Sequence, residues 1–96
     1  MQYKKEKNRL EVVMSGDFNL NAARKISNLL KERRELLIDL KHAHFVNSKA
    51  AIFLHNLMRK DPPVQVRLKN PPKVFFELLT TLGLQQSWAL DEIIEP

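Results

Sequence analysis

The chain has 96 residues, 44% of them hydrophobic, which suits one modest core and excludes both a disordered tract and a pair of full domains. Its formal charge is +5, and all 16 Lys and Arg fall at or before Lys73, so a basic body ends in an acidic tail. The absence of cysteine excludes disulfides, thiolate metal sites and thiol nucleophiles, and two distant glycines, Gly16 and Gly83, exclude a Gly-rich phosphate loop.

No apolar run is long enough for a membrane-crossing helix. Met1–Lys7 has no apolar stretch behind its charges and does not read as a signal peptide. A single domain over 1–96 in a reducing cytoplasm is the expectation. The charge balance suggests an anionic partner: an acidic protein face, nucleic acid or a membrane surface. The basic residues are scattered along the sequence with no aromatic interleaving, so a solvated basic surface is a plainer reading than nucleic-acid binding.

In chain order, Tyr3–Lys7 reads as an edge strand whose lysines discourage pairing between molecules. Leu10, Val12 and Met14 alternate with Glu11, Val13 and Ser15, the pattern of a half-buried strand, and Gly16 is expected to stop it. Asp17–Leu20 then connects to a first helix, capped by Asn19 or Asn21, with Ala22, Ile26, Leu29 and Leu30 on one face. Leu36–Leu40 is a nearly continuous apolar run and predicts a strand deep in the sheet. A turn-like segment, Lys41–Phe45, follows it. Asn47 and Ser48 supply side-chain oxygens to cap a second helix, which runs from about Ser48 to Arg59 and ends at Asp61-Pro62-Pro63.

Val64, Val66 and Leu68 alternate with Gln65, Arg67 and Lys69, so this strand has one buried and one wet face. Helices are therefore expected mainly on one side of the sheet. Asn70 is expected to cap a third helix with Pro71 in its first turn, and Gly83 to end it in a left-handed conformation with Leu84 folding back on Leu79. Gln85–Pro96 reads either as a short strand or as a last helical turn. Phe76, Leu84 and Trp88 form an apolar patch for a partner or a second copy, making a homodimer one option, or else they close the end of the core.

Three pieces of this pattern carry a resemblance. Val12-Val13-Met14-Ser15-Gly16-Asp17-Phe18 precedes the first helix. Leu37-Ile38-Asp39-Leu40 is followed by Phe45-Val46 and then by Asn47-Ser48-Lys49-Ala50 opening the second. Val64–Asn70 precedes the helix ending at Leu82-Gly83-Leu84. In order and spacing over nearly the whole chain, they resemble the STAS domains, whose founding members are bacterial anti-sigma-factor antagonists. The resemblance implies an α/β fold with a mixed sheet of four or five strands and helices mainly on one face.

It also implies a function: a non-catalytic regulatory module that binds protein partners, acting in partner switching and transcription regulation and needing no cofactor. In the family, Asp-Ser is followed by a Ser or Thr that a partner kinase phosphorylates. That position is Lys49 here, with Asn47 in place of the Asp and Ala50 in place of a Gly. Lysine cannot take the phosphate, so the resemblance implies a member without the usual switch. Ser48 is the adjacent hydroxyl, either a phosphorylation site or simply a helix cap. The implied partner surface is the Gly16–Leu20 turn, the Phe45–Lys49 corner and the exposed side of the second helix, with Asp17, Phe18, Asn47, Ser48 and Lys49 as its binding residues. The partner is then an anti-sigma-factor kinase-like protein or, in the alternative, the ATPase of a bacterial lipid-transport ABC transporter, to which STAS-like accessory subunits bind. A separate alternative, a small enzyme or metal protein, rests on His42, His44 and Asp39. Their spacing is generic, and His55, within the second helix, reads as packing or surface.

Overall fold

The apolar run at Leu36–Leu40 becomes the middle of the sheet. In a computed structural model describing residues 1–95, the chain forms β1 (Gln2–Lys5), β2 (Arg9–Phe18), α1 (Leu20–Leu30), β3 (Glu35–Val46), α2 (Ser48–Arg59), β4 (Gln65–Lys69), α3 (Lys73–Leu82), α4 (Leu90–Ile93) and β5 (Ile94–Glu95). The strands lie side by side in chain order. β1 pairs antiparallel with β2, and every other pair is parallel. Right-handed crossovers between strands laid in that order put α1, α2 and α3 on the same side.

Burial follows from this arrangement. The register sets Leu10 beside Leu36 and Val66, and Val12 beside Ile38 and Leu68. With Met14 and Leu40 these residues make one apolar sheet face, almost wholly shielded from solvent. Ala23, Ile26 and Leu30 of α1, Ala50, Ala51, Leu54 and Leu57 of α2, and Phe75 and Leu79 of α3 complete the core. The first-helix stripe is centred on Ala23 rather than Ala22, and Ala22 and Leu29 pack at its margin. On the far side of the sheet Leu37 is still only 6% exposed. The stems of Arg9, Glu35, Gln65 and Arg67 line the shallow cleft around it and cover it.

Three expectations about the course of the chain are corrected here. Gly16 does not stop β2, which continues to Phe18. Gly16 has φ 81° and sits at a register slip against β3, a bulge conformation that glycine adopts without penalty. Lys41–Phe45 is strand, not turn. It stays paired with β2, but the register slips twice, between Val13/Ser15 and between Gly16/Asp17, so β3 carries extra residues and loses strict alternation. Asn70 does not cap α3. The helix begins at Lys73 with Pro72 at the cap position and no side-chain cap. Pro71 and Pro72 have no N–H to give Asn70, which takes φ 52° and turns its amide to Asp39 instead.

For Trp88 the second of its two readings holds. Its indole is 5% exposed and lies between His55 and Phe75, so it belongs to the core and not to a surface patch. Leu84 packs against the core margin, and only Phe76 of the three is substantially open. The helix stop at Gly83 forms as expected, with φ 72° and the Leu84 N–H donating to the Leu79 carbonyl at 2.9 Å. The acidic tail resolves into both of its alternatives, a helical turn (α4) leading into a two-residue strand (β5) beside β4. Pro96 lies outside the described residues.

Candidate functional site

β2 and β3 outrun their neighbours. β1 pairs with β2 only from Leu10 to Val13, and β4 pairs with β3 only from Glu35 to Asp39. Beyond those limits, Ser15–Phe18 and His42–Val46 form a two-stranded ribbon that carries the starts of α1 and α2. Asp39 holds the point where the ribbon leaves the sheet. Its Oδ1 accepts from the Lys41 N–H at 2.9 Å, a donor that the first bulge frees from the ladder, and from Asn70 Nδ2 at 3.1 Å at the end of β4. Burial pushes its pKa up, but those hydrogen bonds and the charges of Lys69 and His42 outweigh it and hold the carboxyl below its usual value of 3.8.

At the tip of the ribbon, Asp17 is paired with Phe45 and Phe18 with Val46. The Asn47 N–H donates to the Phe18 carbonyl at 2.9 Å, which seats the start of α2 beside the start of α1. Asn47 is the N-cap: its Oδ1 accepts from the Lys49 N–H at 2.8 Å. Asn19 does the same for α1, accepting from the Ala22 N–H at 3.0 Å. Two helix N-termini therefore open side by side, and neither first turn contains an acid.

This arrangement places each residue singled out in the sequence. Ser48 is the first helical residue and not the cap. It is half-buried, and among the described residues its hydroxyl makes no hydrogen bond. Lys49 is exposed at the second helical position and Asp17 is exposed on the facing strand. Asn47 is half-buried and its oxygen is engaged. Phe18 is wholly buried, so its side chain serves the core and only its backbone takes part in the corner. Phe45 opens the corner that the family resemblance implied, although it was not among the binding residues singled out. It stands 49% exposed between Asp17 and the helix start, the largest apolar group at the corner.

His42 and His44 are exposed on the ribbon, and Asp39 is committed to Lys41 and Asn70. Among the described residues, no three His, Cys, Asp or Glu side chains come together as a metal-holding group. His55 has a different place: its Nδ1 accepts from the Trp88 indole N–H at 3.1 Å, with the two rings nearly parallel. Among the described residues, no helix is long and apolar enough to cross a membrane.

The sequence matches no family model and no curated protein sequence. Its fold does have a solved counterpart. The anti-sigma factor antagonist SpoIIAA, in its unphosphorylated form, superposes with a TM-score of 0.72 over 98% of this chain and 84% of that one, at 13% sequence identity. The five-stranded mixed sheet with its one-sided helical layer is the STAS fold.

Proposed function

We propose that this chain is a non-catalytic regulatory module that binds a protein partner through the corner formed by Asp17, Phe45, Ser48 and Lys49. The observation that carries the reading is that corner itself. An exposed aromatic ring lies beside an unengaged hydroxyl and an exposed cation, at the mouth of two helix N-termini, on a fold shared with an anti-sigma factor antagonist. Partner switching is proposed here by likeness to that anti-sigma factor antagonist. Lys49 occupies the position where the family pattern has a phosphate acceptor, so in this reading capture is not governed by phosphorylation there.

Lys49 also favours a second reading, an accessory subunit seated on a transporter ATPase, because that role requires no phosphate acceptor. Co-purification followed by identification of the bound protein separates the two: a serine-kinase anti-sigma factor supports the first and an ATPase the second. In either case Lys49→Glu should abolish capture. Lys49 is exposed and only its backbone is used in the cap, so the thermal midpoint should stay nearly unchanged. Capture that survives Lys49→Glu would count against the corner.

A further inference from the structure

The fold gathers charge that is scattered along the sequence. α1 and α2 pack against each other on the same side of the sheet, and neither contains an acidic residue. Their outward residues include Arg24 and Lys25 on α1 and Lys49 and Arg59 on α2. Among the described residues none of these four has an ionic partner, since both ion pairs involve Arg9 on the far side of the sheet. Because the two helices start side by side and rise equally per residue, Arg24 lies level with Ile52, while Lys25 is turned toward Met1 and Tyr3 at the β1 edge. Ile52 faces outward and is 42% exposed, and Phe53 is half-buried beside it. The acids that flank the two helices in sequence, Asp17, Glu32 and Asp61, stand outside them at their ends, and the neighbouring α3 carries Glu77.

We infer that this layer is a docking surface for an acidic protein face, one that brings carboxylates around a small apolar centre to meet Ile52. The inference rests on the protein-binding reading above and adds to it the chemistry of the partner. An exposed isoleucine among cations without ionic partners, Arg24, Lys49 and Arg59, matches a protein interface with a dry middle and a polar rim. A membrane surface fits less well: both helices spend their apolar faces on the sheet, at Ile26 and Leu30 and at Leu54 and Leu57, and Ile52 alone is left to enter lipid. Duplex nucleic acid would use the cations but gain nothing from an exposed isoleucine at their centre.

The test uses the full chain, isotope-labelled, titrated with a short acidic amphipathic peptide of Glu and Leu. Parallel titrations use phosphatidylglycerol vesicles and a DNA duplex. Saturable amide shifts confined to the outer faces of α1 and α2 are expected with the peptide, weakening as salt is added. Arg24→Glu with Arg59→Glu should weaken peptide binding by roughly tenfold, from the sum of a few exposed charge pairs. Ile52→Ala should weaken it severalfold without altering its salt dependence.

Shifts elsewhere, no saturable shifts, an unchanged affinity in the double variant, or tighter binding to vesicles or duplex would each overturn the inference. All three side chains are exposed, and the salt series on the unaltered chain stands even if a variant folds poorly. Native-partner capture keeps the two proposals distinguishable. Capture lost with Lys49→Glu but unaffected by the Arg24/Arg59 double variant overturns the acidic-partner inference and leaves the corner standing.

Discussion

Asp39 is the residue through which the sheet holds the projecting ribbon, and removing its carboxylate should be felt at the corner. Asp39→Ala leaves the Lys41 N–H without its acceptor and frees Asn70. A hydrogen bond to a charged group is worth about 1.5–3 kcal/mol, and a half-exposed site with water at hand lies at or below the low end. The expected cost is therefore about 1–2 kcal/mol. For a chain of this size that is a fall in thermal midpoint of roughly 4–15 °C. Asp39→Asn keeps an oxygen for both donors and loses only the attraction of Lys69 and His42, so it should cost less than half as much.

Acid should act in the same direction. The folded-state pKa of Asp39 is depressed, so its contribution is present above the usual value near 3.8 and is lost as pH falls through the lower folded value. In the Asn variant that component of acid sensitivity should be missing. Thermal melts of the three proteins over an acid series, with amide shifts of Lys41–Val46 as the local readout, measure all of this. Equal destabilisation by Ala and Asn would mean that the charge, not the acceptor geometry, holds the ribbon. No effect from either would refute the anchoring role altogether.

Three further outcomes can be checked by denaturant or thermal unfolding. Asn47→Ala removes the α2 cap and should cost about 1 kcal/mol, while Asn47→Ser, which keeps a side-chain acceptor, should recover most of it. His55→Ala removes the acceptor of a buried indole N–H and should cost about 1–3 kcal/mol, with a change in emission from Trp88, the single tryptophan. Lys31 ends α1 at φ 51° without being glycine, so Lys31→Gly should be neutral or stabilising by up to about 1 kcal/mol; a loss of stability there would show that the side chain, not the backbone, matters.

The corner was legible in the sequence because capping is local: an Asn followed by Ser, just ahead of helical apolar spacing, points to the start of α2 whatever surrounds it. The ribbon below it was not. Strands show in a sequence as period-two alternation or as a short apolar run, and two bulges in β3 leave neither from Lys41 to Phe45, so paired strand looked like turn. Gly16 misled for a related reason, since a glycine at positive φ ends a strand or bulges it according to whether a partner continues alongside.

Local order in the chain thus determined the alternation of strands and helices, the buried middle of the sheet and the Gly83 stop, because hydrophobic period and turn chemistry act over a few residues. Only tertiary structure decided which side Trp88 joined, that Phe18 is core while Phe45 is open, and that cations far apart in sequence share one outer surface. Those outcomes depend on which segments lie side by side. Parallel pairing brings together residues roughly 28 positions apart, a neighbourhood that no local pattern encodes.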